Sequence, residues 1–275
     1  LMVTLLDAHP DIAMSYELYP TLLKLEDGQP DTLMQIAESI AKARNIKQAA
    51  KRVDHDGLRV FLLRCPRGGL DHRDFATILM EHAGENSTLT TVPDRLKLIE
   101  KCCKAKMNAV GKTRWGLKCN NRYRDYLARW PDAYFVNVLR DGRDVLASQL
   151  RIGTFKNTTA QVAQSWATTN RRFRDLLADS AVKAYQVRYE DLVTNPADEL
   201  RKITDFLRLR FDDSMLNYHR QELTIYSTSH LSMDRIAVAV DGSRVGRWKR
   251  ELTSAQVLEF LESAGDALRE FGYDD

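Results

Sequence analysis

What this 275-residue sequence lacks narrows its function first. It has no apolar run near the ~20 residues that a membrane-spanning helix needs, and its opening residues lack the basic start and apolar middle of a signal peptide. Neither sign of charge dominates. With 41 basic and 38 acidic residues the net charge is only +3, which argues against a general nucleic-acid coat or a polybasic membrane anchor. The four cysteines (Cys65, Cys102, Cys103, Cys119) fit neither a disulfide framework nor a paired-CxxC zinc site, so they read as reduced thiols of a cytoplasmic protein. The six histidines show no metal-ligand spacing and no accompanying carboxylate cluster, so no metal is expected. Repeats, low-complexity tracts and Pro/Gly-rich linkers are missing too, and positions 1–275 read as one domain.

What is present is a core-forming alternation of segment types. Forty-four per cent of the residues are hydrophobic, enough for a substantial interior. Short apolar runs at Trp115–Leu117, Ala133–Leu139 and Ala184–Val187 suit buried strands, and amphipathic stretches separate them. That order predicts βαβ units and a parallel sheet, hence an α/β fold. Leu1–Leu6 reads as the inside of a helix, so the chain starts within an element. Asn195-Pro196 with Asp198 predicts a helix start, and Val257, Leu261, Ala264, Leu268 and Phe271 form one face of a closing helix. Positions 31–110 read as a largely helical insertion with Leu96, Ile99, Cys103, Met107 and Val110 as one stripe. Within it, Leu58, Phe61, Leu62 and Cys65 have helical spacing, so Cys65-Pro66-Arg67-Gly68-Gly69 is a helix–turn–helix corner rather than a phosphate loop.

Three segments carry candidate chemistry. In Tyr134–Ser148 a strand ends in Arg140, turns through Asp141-Gly142 and opens a helix bearing Asp144 and Ser148. Free N–H groups at such a helix start favour an anion, and Arg140 adds a bidentate donor; alternatively Arg140 pairs with Asp144. In Val187–Leu192, Tyr189 at a strand's carboxyl end offers a flat face to a bound base or closes the core. The run from Ser243 to Arg250, with Arg244, Arg247, Lys249 and Arg250, is a solvated face or a loop folded over an anion.

Taken in order, these motifs resemble those of PAPS-dependent sulfotransferases, most closely in spacing the tyrosylprotein sulfotransferase branch. Leu5–Ile12, containing His9-Pro10, is similar to the family's helix directly after its phosphosulfate loop, which places the first strand and that loop upstream of Leu1. The resemblance implies a P-loop-like three-layer sandwich with a central parallel sheet and the helical insertion. It implies PAPS (3′-phosphoadenylyl sulfate) as co-substrate and PAP as product. Arg140 and Ser148 match the 3′-phosphate motif, Tyr189 the tyrosine on adenine, and Ser232, Arg244 and Arg247 the late nucleotide-binding segment. Glu17 matches the general base of the tyrosylprotein branch, and Lys118 the lysine that assists the transferring group. Around Glu17 the chain has Tyr16, Leu18 and Tyr19 where that branch carries further acidic and arginine residues.

Sulfuryl transfer needs in-line positioning and stabilisation of spread negative charge rather than covalent chemistry, and an acceptor hydroxyl must lose its proton to a nearby base. The expected reaction moves a sulfuryl group from PAPS to the hydroxyl or amine of a small-molecule, carbohydrate or peptide acceptor. No metal or nucleic acid is expected, and a homodimer is compatible. A nucleotide-dependent kinase of the same architecture is the nearest alternative, but no lysine-bearing Walker loop is present. A non-catalytic nucleotide-binding module is the other.

Overall fold

The computed structural model describes residues 1–152, 157–221 and 238–273. The chain divides into two compact units, Leu1–Pro131 with Asp212–Ala239, and Asp132–Phe211 with Val240–Asp275.

The first unit begins with helix α1 (Met2–Asp7) and strand β1 (Ile12–Ser15). Five helices follow: α2 (Pro30–Ala41), α3 (Ile46–Lys51), α4 (Asp56–Arg64), α5 (His72–Gly84) and α6 (Val92–Ala109). Strand β2 (Arg114–Leu117) and helix α7 (Tyr123–Arg129) come next. Helix starts are set by side chains: Asn45 accepts the Gln48 N–H at 3.0 Å, His55 Nδ1 accepts the Leu58 N–H at 3.0 Å, and Asp71 forms a capping box with Asp74. Cys65–Gly68 is a 3-10 turn between α4 and α5, so the corner expected there is present.

The helix expected to run from Leu5 to Ile12 is shorter than that. It ends at Asp7, and Ile12 opens a strand, because His9-Pro10 breaks the helical ladder and the His9 ring accepts the Asp11 N–H at 3.0 Å in a tight turn. Strand β1 pairs in parallel with β2, Ile12 opposite Arg114 and Ser15 opposite Leu117. A buried charge cluster fixes this edge. Asp7 Oδ1 accepts both the Met14 N–H at 2.6 Å and the Lys106 ammonium at 2.9 Å, while Lys106 also donates to the Met14 carbonyl. Lys112 donates to the Ile12 carbonyl at 3.0 Å. The stripe expected on α6 therefore bends: Leu96, Ile99 and Cys103 are buried as expected, but Lys106 takes the inward place and Val110 is 44% exposed.

In the second unit, β3 (Tyr134–Leu139) and β4 (Lys183–Arg188) pair in parallel, Tyr134 opposite Lys183 and Leu139 opposite Arg188. Helices α8 (Gly142–Ile152) and α9 (Thr159–Leu177) make the crossover. Helices α10 (Tyr189–Thr194), α11 (Pro196–Phe206), α12 (Trp248–Glu251) and α13 (Ser254–Glu270) complete it. All three strands read from apolar runs are present, and the fold is mixed α/β, mostly helical, with parallel strands. Among the described residues the ladders are two pairs, β1–β2 and β3–β4. Leu139, Leu146, Trp166, Phe260, Leu268 and Phe271 form the core of this unit. Gly142 is required there, since a Cβ would stand 2.5 Å from the Phe260 ring and 2.7 Å from Trp166.

Candidate active site

In the first unit the parallel ladder brings Glu17 and Lys118 together. It runs one step past the strands, with the Lys118 N–H donating to the Ser15 carbonyl at 2.9 Å, so the residues that leave β1 and β2 emerge side by side. Lys118 Nζ lies 3.0 Å from Glu17 Oε1 and 3.1 Å from the Tyr16 hydroxyl, above the Tyr16 ring. Glu17 itself sits at φ +57°, a left-handed conformation that costs a non-glycine residue about 1–2 kcal/mol and is held only by surrounding contacts. Those contacts come from α4 and the turn after it. Arg64 Nη1 donates to the Glu17 carbonyl at 3.0 Å, and Arg67 Nη1 lies 3.3 Å from Glu17 Oε2.

Burial pushes the Glu17 carboxyl pKa up, but the charge and hydrogen bond of Lys118, the charge of Arg64 and the Tyr16 hydroxyl together outweigh it. The net pKa is below the ordinary carboxylate value, so Glu17 is ionised at neutral pH. Arg64 and Arg67 were not among the candidates read from the sequence. Their only signal there is a pair of arginines three positions apart around a helix end, on the side away from the Leu58, Phe61, Leu62 and Cys65 stripe.

In the second unit Arg140, Tyr189 and the 244–248 segment meet around Asp144. The Arg140 guanidinium lies over the Tyr189 ring, 4.2 Å from its centre, and donates to the Arg244 carbonyl at 2.7 Å. Asp144 is fully buried and accepts the N–H of Gly246 and of Trp248, each at 3.0 Å. Gly246 offers its N–H from a left-handed backbone, φ +65°, where a side chain would be strained. The Arg140–Asp144 pairing weighed above exists, but at 3.5 Å it is the longest of the three contacts to that carboxylate.

Arg247 is 2% exposed; one terminal nitrogen reaches Glu251, while Nε and Nη1 have no hydrogen-bond partner among the described residues. Arg140 Nε is likewise buried without one. Unpaired buried guanidinium donors are costly, and they suit an anion that brings several acceptor oxygens. Ser148 is half-buried on α8, one turn beyond Asp144 and therefore on the same helix face. Ser232 lies outside the described residues.

At the start of α8, after β3, two main-chain N–H groups are already engaged by side chains. The Asp141 carboxylate accepts the Arg143 N–H at 2.8 Å and also binds the Arg143 side chain, and Glu190 Oε1 accepts the Asp141 N–H at 3.1 Å. Carboxylates from the chain thus engage the Asp141 and Arg143 N–H groups. Tyr189 has one ring face under Arg140, and burial raises its hydroxyl pKa despite that neighbouring cation.

Comparison with known proteins bears on the family and the fold. Positions 1–213 match a family model described as the sulfotransferase family. Protein-tyrosine sulfotransferase A of Caenorhabditis elegans is 26% identical over 153 residues, covering 53% of this chain and 40% of that protein. The protein-tyrosine sulfotransferase of Drosophila melanogaster is 25% identical over 158 residues, covering 53% of this chain and 31% of its own length. The chain thus matches less than half of either relative. In three dimensions it is similar to the sulfotransferase domain of the Synechococcus PCC 7002 olefin synthase, with a TM-score of 0.57, 19% identity and 97% of each chain covered. The sulfotransferase domain of the curacin biosynthetic pathway gives a TM-score of 0.55 at 16% identity, over 97% of this chain and 99% of that one. With its family model spanning positions 1–213 and its fold shared by two solved sulfotransferase domains, this chain belongs to the sulfotransferase family.

Proposed function

We propose that the protein transfers a sulfuryl group from PAPS to an acceptor hydroxyl or amine, with Glu17 as general base. The observation that carries the nucleotide assignment is the set of buried donors without a partner among the described residues, Arg140 Nε with Arg247 Nε and Nη1. Phosphate oxygens are acceptors that would satisfy them. Arg140, Ser148, Arg244 and Arg247 bind the phosphates of the nucleotide, Tyr189 contacts its base, and Ser232 belongs to the same set. PAPS, when bound, supplies the sulfuryl group.

The rest of the chemistry falls to this chain's own side chains. Glu17, ionised at neutral pH, accepts the proton that the acceptor oxygen or nitrogen gives up as it attacks. Lys118, at 3.0 Å from that carboxylate, carries the positive charge that offsets negative charge gathering on the transferring group. The relatives named as protein-tyrosine sulfotransferases make a peptide tyrosine one acceptor worth testing, beside phenols, sugars and lipid alcohols.

The test is calorimetric titration with PAP, followed by PAP release from PAPS across that acceptor panel with and without EDTA. Saturable PAP binding and EDTA-insensitive release with at least one acceptor are expected. Absence of PAP binding would overturn the assignment. Binding without turnover of any acceptor would reduce the protein to a nucleotide-binding module.

A further inference from the structure

We propose that Arg67 and Arg64 are positioning residues that keep Glu17 ionised and aimed after Lys118 leaves it. This rests on the reading of Glu17 as the base. Lys118 has two duties that compete for one ammonium. It donates to Glu17 Oε1 at 3.0 Å and to the Tyr16 hydroxyl at 3.1 Å, yet its assigned role is to stabilise charge on the transferring group. An ammonium is a single point charge on a flexible stem, and its attraction divides among the anions it serves. As Lys118 turns toward the transferring group, Glu17 loses its shortest ionic partner. A half-buried carboxylate left without one becomes easier to protonate, and a protonated Glu17 cannot accept the acceptor's proton.

The other oxygen and the main chain of Glu17 are held independently of Lys118. Arg67 Nη1 stands 3.3 Å from Oε2, and Arg64 Nη2 stands 3.8 Å from the same atom. Arg64 Nη1 also donates to the Glu17 carbonyl at 3.0 Å, which fixes the left-handed turn from which the side chain projects. Both guanidinium groups lie near aromatic rings, Arg67 5.7 Å from the centre of Tyr16 and Arg64 5.5 Å from that of Tyr19. Among the described residues, Lys118, Arg64, Arg67, Tyr16 and Tyr19 are the charged and titratable groups that face Glu17. Of these three cations, Lys118 contacts Oε1, while Arg64 and Arg67 contact Oε2 or the main chain. The arrangement is therefore two-sided: a cation on Oε1 that can depart, and a pair on Oε2 and the carbonyl that stays.

The experiment follows the Glu17 carboxyl by carbon NMR in protein labelled at glutamate carboxyl carbons, its resonance identified by its loss in Glu17→Gln. Lys118→Met mimics the departed lysine. In that variant Glu17 is expected to titrate still below the ordinary glutamate value, whereas in Lys118→Met/Arg67→Gln its midpoint moves up. Lys118→Met/Arg67→Lys should restore the low midpoint. If Glu17 in Lys118→Met already titrates at or above the ordinary value, or if adding Arg67→Gln does not move it, the proposal is overturned. Arg67 is partly exposed, and thermal melts of each variant separate a local effect from lost folding. The titration needs no acceptor, so it fails separately from the reading it rests on. Full PAPS turnover by Glu17→Gln would remove Glu17 as the base while leaving the titration result intact.

Discussion

The Asp144 carboxylate accepts the main-chain N–H of Trp248 at 3.0 Å, joining positions 104 apart in the chain. With the matching bond from Gly246 it ties the arginine-bearing segment to α8, so the placement of Arg244 and Arg247 depends on one buried carboxylate. Asp144→Asn keeps the size but replaces an acceptor oxygen with a donating NH₂, which cannot face an N–H. PAP affinity should fall about tenfold or more, since a hydrogen bond to a charged group is worth ~1.5–3 kcal/mol. Calorimetry with PAP measures this, and unchanged affinity would mean that the segment is held by other contacts.

Arg140 stacks on Tyr189 and carries a buried donor without a partner among the described residues. Arg140→Ala removes that donor, and a loss of about 2 kcal/mol in PAP binding, roughly thirtyfold, is expected. Arg140→Lys should recover little, because an ammonium cannot reproduce the planar, stacked fork.

Gly142 opens α8 under the rings of Phe260 and Trp166. Gly142→Ala gains up to ~1 kcal/mol in helix propensity, but forces two core aromatics apart at a cost of about 1–3 kcal/mol. The clash should win, and urea denaturation should show a lower midpoint with little change in slope.

Lys106 and Asp7 are both buried, and each charge is offset by the other. Lys106→Met leaves Asp7 without its shortest ionic partner, and loss of one partner from a buried pair costs ~3–5 kcal/mol. Equilibrium unfolding tests this; a loss below 1 kcal/mol would show that Lys112 and the Met14 N–H suffice.

The Glu17 carboxyl has a lower pKa in the folded chain than when unfolded, so its ion pairs contribute stability that is fully present above the ordinary carboxylate pKa. That contribution is lost as pH falls through the folded value. The stability gap between the wild type and Glu17→Gln should be constant near neutrality and shrink in acid. Unfolding curves from pH 7 down to pH 3 would read it, and a gap that widened in acid would contradict the assignment.

Much of this was legible in the sequence because the signals are local. Strands β2, β3 and β4 announce themselves as apolar runs, the start of α11 as Asn195-Pro196, and α13 as one apolar face. Glu17, Lys118, Arg140 and Tyr189 are visible because they follow strands, where side chains emerge at a sheet's end. Strand β1 was hidden because its four residues directly follow a helical pattern, and only the His9-Pro10 break separates them. Arg64 and Arg67 were hidden for another reason: they reach Glu17 from about fifty positions away, and no spacing rule records such a contact. Lys106 breaks the α6 stripe because a buried ammonium with a buried carboxylate can occupy an apolar position. The bond from the Arg143 N–H to the Asp141 carboxylate was not legible, because Asp141 was counted only as part of a turn.

That self-filled helix start separates folding from recognition. Glu190 and Asp141 hold the Asp141 and Arg143 N–H groups from within the chain, so these two bonds do not wait on a bound anion. In the proposed reading the anion is held by side chains, and side chains can be exchanged one codon at a time. On that reading a descendant that lost Arg140 or Arg247 keeps the main-chain bonds at the start of α8 and loses affinity for the nucleotide.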